Sequence, residues 1–466
     1  MQVPIVSGIY ADQTADFRTS YPVNMVPTPK ATGINEGYLR CADGIVQHGA
    51  GSGVCRGGIE WNGVVYRVMG ADLVSESATG TVTVIGTIGG TGDASMAYSF
   101  DYLAIVTDGK LWLYDGTTLA QNVDADLGVV LDVTWVDGYF VLTDGEFIIV
   151  TELDNPFSVN PLKYGSSEVD PDNVVAVVKL RNEITAVNRH TIETFQNQGG
   201  AGFPFTRVNG AQIHRGAVGT HACTQFMDAI AFLGGGRNES NAIWMGANGQ
   251  STKVSTAEID LILQEYTEAE LSTAQMEVQT DRGHQTLITH LPRHTILFDA
   301  TGSQASGVPV WYFLSSSTDG EGAWDARHII WAYNRWNVGS ASASRLGHLT
   351  RDVASHWGDA VRWEFGCPVV YNAGAGAQFH EVELVCLTGA TPLGKDPVVS
   401  TEYSLDGVTW SQPKTQRAGT PGQRSARLRW VRQGIMRNFR LQRFIGSSDA
   451  PITPVRVEIR LEPLAW

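Results

Sequence analysis

The chain has 466 residues, of which 43% are hydrophobic and 17% charged, and it carries 51 Gly. At roughly 100–200 residues per domain, that length implies two to four domains, or one large all-β domain with a smaller one, and a core that needs neither disulfide nor metal. Its 33 basic and 48 acidic residues leave a net charge of −15, and only 7 of the basic residues are Lys. An acidic, Lys-poor chain binds phosphate backbones poorly, which argues against a conventional nucleic-acid-binding protein.

Cys41, Cys55, Cys223, Cys367 and Cys386 are odd in number and scattered, and no CxxC occurs. They read as free thiols in a reducing compartment rather than as a zinc site or a redox pair. The N-terminus has no basic region ahead of an apolar run, and no stretch approaches 18 consecutive apolar residues. Neither a signal peptide nor a membrane span is expected, and the chain is expected to be soluble and made in the cytoplasm.

Along the chain the dominant signal is the hairpin turn, with ten Asn-Gly or Asp-Gly pairs between apolar runs. Such pairs tolerate the positive φ angles of type I′ turns. Tyr102–Tyr114 and Tyr139–Val150 each read as two strands of β-branched and aromatic residues around an Asp-Gly. Strand pairs begin near Trp61, Phe100, Val136, Leu180, Phe226 and Asp281, at intervals of 36 to 55 residues. Irregular repeats of that length predict an all-β, β-propeller-like domain of about six blades over residues 51–350, after an N-terminal arm and entry strands at 1–50. A sandwich array is the competing architecture.

One helical insertion is predicted near 255–275, where Ser255–Glu258 and Thr267–Glu270 are capping boxes. Beyond 350 the alternating segments His380–Cys386, Val398–Tyr403 and Val455–Leu461 predict a separate C-terminal β-sandwich-like domain over 351–466. The Gly/Ala-rich stretch between about 365 and 378 reads as a linker or long loop.

Catalytic patterns are missing: there is no phosphate-binding loop, no GxSxG and no HExxH. His284, His290 and His294 are close in sequence, but Pro292 places a turn between strands there, so surface histidines on a hairpin are expected rather than a metal site. Ser404, Asp406, Gly407 and Trp410 resemble the Asp-box of sialidase-type propellers, a motif that locks a turn and does no catalysis. No catalytic residue and no cofactor are expected.

Charge is distributed unevenly. Residues 101–160 hold eleven acids against Lys110 alone, and residues 407–448 hold Lys414 and eight Arg with no acid. Asp108, Asp115, Asp124, Asp126, Asp137 and Asp144 are candidates for one acidic surface, with a solvated outer face as the plainer reading. Arg427, Arg429, Trp430, Arg432, Arg437, Arg440 and Arg443 form a candidate basic strip, either a nucleic-acid track or a docking surface for acidic partners. With the whole chain acidic, docking is favoured, and Arg suits it.

The order of several short motifs resembles the packaged-DNA stabilisation, or tail hub (nozzle), proteins of short-tailed double-stranded-DNA phages. They are Tyr21–Lys30 (YPVNMVPTPK), Gly37–Arg40, Arg56-Gly-Gly, Val65–Val68, Ser255-Thr-Ala, Tyr266-Thr-Glu, His290–His294 and Phe298–Ala300. Asp406-Gly, Leu428–Arg432, Gly434, Arg437, Arg440 and Ile459–Glu462 continue the series.

The resemblance implies a homo-hexameric ring below the portal-adaptor (head completion) ring, added after packaging. Its expected partners are a tail needle or plug, a tailspike or tail fibre, and double-stranded DNA that passes without sequence-specific binding. Its expected location is the virion tail, after assembly in the host bacterial cytoplasm. A channel that conducts DNA should repel it weakly, so the acidic candidates would face the channel and the Arg strip a neighbouring subunit or the adaptor. The alternative is a peripheral tail propeller that binds or hydrolyses glycans in receptor recognition.

Overall fold

The computed structural model describes residues 2–3, 5, 9–10, 19–30, 37–372 and 375–464. Seven antiparallel sheets of residues 44–350 form a closed ring of blades. Their innermost strands are Cys55–Trp61, Ser95–Tyr98, Asp132–Val136, Val174–Leu180, Cys223–Phe226, Gln275–Asp281 and Ala326–Ala332. Each packs on the next and the seventh packs on the first, so the domain is a seven-bladed propeller rather than one of about six.

Within a blade the chain meanders outward from the axis, as the hairpin signals require. Asn62–Gly63, Asp108–Gly109, Asp137–Gly138 and Asn248–Gly249 all have positive φ at both positions. That is the I′ geometry whose twist matches antiparallel strands. The seventh blade makes the same kind of turn without glycine, at Tyr333 (φ 55°) and Asn334 (φ 58°), so it carries no Gly-based turn signal.

The seventh blade is also incomplete in its own stretch of chain. Its strands Ala326–Ala332, Arg335–Ser340 and Leu346–Thr350 are joined at the outer edge by Gly44–Gly49 from the N-terminal segment. Ile45 pairs with Leu349 and Val46 with His348. The segment expected as an arm at 1–50 therefore contributes a propeller strand; its residues 1, 4, 6–8, 11–18 and 31–36 lie outside the described residues.

Where the closing strand meets the first blade, charge is buried. Arg67 and Glu76 are fully buried and paired, Nε to Oε2, at 2.7 Å. His48 Nε2 lies 2.6 Å from Glu76 Oε1, and the rings of His48 and His348 stack 5.4 Å apart. Burial pulls the Glu76 pKa upward, but the hydrogen bond from His48 and the Arg67 charge outweigh it and hold the carboxyl below its usual range.

Residues 362–463, joined by Gln2–Val3, form two five-stranded sheets face to face. Trp363, Phe365, Phe379, Trp430 and Phe444 fill the space between them. The expected linker near 365–378 is part of this sandwich: Cys367, Val370 and Ala377 lie in its core, and the step between domains falls between Thr350 and Arg362. Its Ala373 and Gly374 lie outside the described residues.

The N-terminal segment sews the two domains together. Gln2–Val3 pairs with the sandwich strand Thr453–Pro463. The hairpin Met25–Pro29 with Gly37–Cys41 places Met25 and Leu39 in the sandwich core and Val26 in a propeller core.

Asn24, buried at φ 54°, sits at the junction. Its Nδ2 donates to the Ser315 carbonyl (2.9 Å) in the propeller and to the Arg362 carbonyl (2.7 Å) in the sandwich, and its Oδ1 accepts from the Ser315 N–H. The adjacent Val23 exchanges backbone hydrogen bonds with Glu364.

The helical insertion is present as Ala257–Gln264 and Glu268–Leu271. Ile259, Leu263 and Leu271 are buried against the fifth and sixth blades. Only the second helix forms its capping box, with Thr267 accepting from the Glu270 N–H. Ser255 instead donates to Asp260 at 2.6 Å. A third helix, Ala300–Ser306, has no counterpart in the sequence reading and is capped by Asp299.

Replacing Glu76 by Gln should leave Arg67 buried without its anion and destabilise the propeller by about 3–5 kcal/mol in urea unfolding. Because Glu76 has a lower pKa folded than unfolded, its stabilisation is complete above the unfolded value near 4.3 and fades as pH falls through the folded value. The melting temperature of the wild type should therefore fall more steeply below about pH 4.5 than that of Glu76→Gln.

Candidate docking surfaces

The basic strip resolves into an exposed edge and a buried part. Lys414–Arg417 and Leu428–Val431 are the edge strands of the two sandwich sheets and lie side by side. Together with the loops around them they expose Arg417, Arg424, Arg427, Arg429, Arg432 and Arg437. Exposed edge strands invite pairing with other chains, and charged side chains there blunt it.

Arg427 grips Glu383 through two nitrogens, and Arg429 Nε lies 2.5 Å from Glu381. Among the described residues neither Arg424, Arg432 nor Arg437 has a carboxylate within ion-pair distance, so these are the cations open to a partner. Val431 and Ile435 are exposed between them.

Three residues expected on this strip behave otherwise. Trp430 is 2% exposed and packs in the sandwich core, because alternation along its strand turns it inward while Arg429 and Val431 face out. Arg440 is fully buried. Its guanidinium is stacked between Phe379 and Tyr403 at 4.3 and 3.9 Å, and it donates to the Gln433 carbonyl and to Gln442 Oε1. Burial lowers its pKa to about 10. Arg443 is half-buried between Glu364 (3.1 Å) and Glu402 (2.6 Å) over the Trp410 ring. All three hold the sandwich together.

The acidic candidates do not share one surface. In an antiparallel blade, the first and third turns lie on one face and the second turn and the inter-blade connection on the other. Asp115 and Asp137 fall in turns of the first kind. Asp108, Asp124, Asp126 and Asp144 fall on the opposite face, at the second and third blades. Burial, followed by the charges of Asp144, Asp126 and Asp124, raises the pKa of Tyr164, which places these three acids around one ring.

Several of the acids have local work. Asp115, Asp124 and Asp144 accept backbone N–H groups within their turns, which is why Asp is frequent there. The four-acid face also carries exposed Val123, Val129 and Leu131, and Leu162 is exposed near the third turn of the fourth blade; the sequence reading singled out none of them. The signal that could have found the first three is the stretch VDADLGVVL at 123–131, where apolar residues alternate with acids outside any strand pattern.

The propeller axis holds a cavity of about 530 Å³ lined by all seven inner strands. Asp132 and Glu277 enter it, each with its pKa raised by burial. The Glu277 carboxylate accepts from the His328 and Ile329 N–H groups at 2.7 and 2.9 Å. A cavity of this size has no room for a duplex whose major groove alone is about 12 Å wide.

The three clustered histidines diverge. His284 bonds Asp299 at 2.6 Å, His290 stacks on Trp324, and His294 bonds the Tyr266 hydroxyl at 2.5 Å. Among the described residues, no group of three His, Cys, Asp or Glu is placed to hold a metal ion. Asp406 accepts from the Val408 and Thr409 N–H groups and from Ser404 Oγ, so the Asp-box-like turn is a structural lock. The Thr409 hydroxyl and these N–H groups hold its carboxyl well below the usual carboxylate range. No helix among the described residues is long and apolar enough to cross a membrane.

A closed propeller stapled to a sandwich, with its charge gathered on an exposed edge and on one blade face, defines a structural assembly protein. Residues 1–354 match the family model described as bacteriophage P22 Gp10, beta-propeller, and residues 362–462 match its beta-sandwich counterpart. The chain belongs to this family. It is 28% identical over 491 residues to the tail hub protein gp10 of Salmonella phage P22, covering 99% of each chain.

Among solved structures, PorZ of Porphyromonas gingivalis has a TM-score of 0.40 and 13% identity over 81% of this chain and 46% of its own. The Neurospora crassa Pan2 WD40 domain has a TM-score of 0.43 and 9% identity over 66% of this chain and 96% of its own.

The two kinds of arginine should separate by mutation. Arg440→Ala removes a buried stacked cation and should destabilise the sandwich by about 2–4 kcal/mol in urea unfolding. Arg432→Ala should change stability by no more than about 0.5 kcal/mol.

Proposed function

We propose that this chain is a subunit of a homo-hexameric phage tail hub that docks below the portal-adaptor ring after packaging. There it closes the head, retains the genome and forms part of the channel for DNA ejection. The observation that carries this reading is the end-to-end similarity, 99% of both chains, to a protein named as a tail hub, with both domains in the same order.

The structure supports the mechanical side of the reading. The propeller axis is too narrow for a duplex, so a DNA channel requires several subunits around a common axis. The basic sandwich edge supplies a surface for the adaptor ring or a neighbouring subunit, and unpaired cations at such a rim set partner choice and association rate. A tail needle or plug and a tailspike or fibre are the remaining partners of such a hub, which sits in the virion tail after assembly in the host cytoplasm. An overall charge of −15 keeps passing DNA from sticking to the assembly.

The test is reconstitution. Filled heads that carry the adaptor but lack the hub should release DNase-sensitive DNA, and addition of the purified chain should make that DNA nuclease-resistant. The chain should appear on the particles with six-fold symmetry by electron microscopy. Heads that bind no chain, or bind it without gaining protection, would overturn the reading.

A further inference from the structure

The four-acid face of the second and third blades combines two features that rarely occur together by accident. One is charge: Asp108, Asp124, Asp126 and Asp144 surround it, and Glu146 extends it. The other is exposed apolar area: Val123 is 83% exposed, Val129 64% and Leu131 42%. A surface that only repels DNA, or is only solvated, has no use for bare valine and leucine. Apolar side chains inside a polar rim are the anatomy of a protein interface.

The patch is also built on fixed backbone. The Val130 N–H donates to the Gly109 carbonyl and the Leu131 N–H to the Thr143 carbonyl, which pins the connecting segment across two hairpin turns. A methyl added at Gly109 would stand 2.8 Å from Val129, so this turn and the apolar segment fit together only with glycine there.

The same chain carries a surface of opposite character. The sandwich edge presents Arg424, Arg432 and Arg437 without carboxylate partners among the described residues, with Val431 and Ile435 exposed beside them. One surface is acidic with an apolar centre and the other is basic with an apolar centre. They lie on different domains, so a single copy has one of each to offer. Two unlike surfaces on one chain that fit each other produce head-to-tail contacts, and head-to-tail contacts form a ring where the rotation between copies closes.

We infer that the acidic-apolar face of the second and third blades receives the basic sandwich edge of the next copy of this chain, and that this contact joins subunits within the ring. The inference rests on the tail hub reading. It gives the four-acid face a neighbouring subunit as its occupant in place of the passing DNA.

The test uses the full-length chain added to filled, hub-less heads, with the copies of chain retained per particle after sedimentation as the readout. Asp126→Arg with Glu146→Arg reverses two of the five charges of the acidic face, at side chains with no hydrogen bond of their own among the described residues. Arg424→Glu with Arg437→Glu reverses the basic edge. Each pair alone should reduce retained copies at least tenfold, and all four substitutions together should restore them to within about threefold of wild type, because the substituted positions on the two surfaces then again carry opposite charges. Val123→Asp should act as the acidic-face pair does, through the apolar centre. Circular dichroism melts check that each variant is folded.

Either reversed pair retained as well as wild type would overturn the inference, as would failure of the combined variant to recover. If the basic edge contacts DNA or the adaptor instead, only the arginine pair will lose retention and the combined variant will not recover, which also overturns it. Wild-type chain that never joins the particles overturns the tail hub reading itself and this inference with it. Wild type retained together with insensitive variants overturns the interface alone.

Discussion

A ring of β-sheets is only as stable as the place where its two ends meet. An open array of blades exposes an edge strand at each end and leaves the inner faces of the terminal blades bare, and both conditions favour aggregation over folding. Here the strand Gly44–Gly49 meets that requirement by completing the blade that the chain finishes at Thr350. The position of the first blade, and hence of the acidic face two blades on, follows from that seam. The seam is polar as well as apolar: the Arg67–Glu76 pair and the His48–His348 stack occupy it. Breaking a buried pair of this kind by removing one partner leaves the other charge uncompensated, so the seam depends on both members.

The same N-terminal segment fixes the second domain. Asn24 reaches a carbonyl in each domain, and its left-handed backbone conformation is one that Asn adopts more readily than most residues. Propeller and sandwich are thus held by directional hydrogen bonds between buried groups, which resist sliding in a way that an apolar contact alone does not. In the sandwich, Arg440 serves the same end with no carboxylate at all, satisfied by two rings, a carbonyl and an amide. A cation in such a place reads in the sequence as one more member of a basic run.

What was legible in the sequence was what is local. The I′ turns at Asp108–Gly109 and Asp137–Gly138, the strands beside them, the helical insertion and the alternating C-terminal strands all declare themselves within a dozen residues. The seventh blade did not, because its turn uses Tyr333 and Asn334 in place of glycine and its fourth strand comes from the other end of the chain. The candidate surfaces were half legible. Composition located the arginines and aspartates, but facing depends on strand parity and on the side of the blade, so Trp430 and Arg440 went inward and the six aspartates divided between two faces. The exposed Leu162 had no signal of its own, since an isolated Leu in a sequence looks like core.

The closing strand has a consequence in time. His48 and His348 stack across a separation of 300 residues, so the strand made first cannot find its partner until nearly the last of the propeller has been synthesised. At about 5–20 residues per second, the first strand waits on the order of 15–60 s with its hydrogen-bonding groups unpaired. During that interval the blades can form one by one but the ring cannot shut. The sandwich, which also needs the N-terminal strand and hairpin, is delayed with it. Propeller and sandwich therefore both close late, after Leu346–Thr350 and the sandwich strands have been made, although the strands they wait for are among the first.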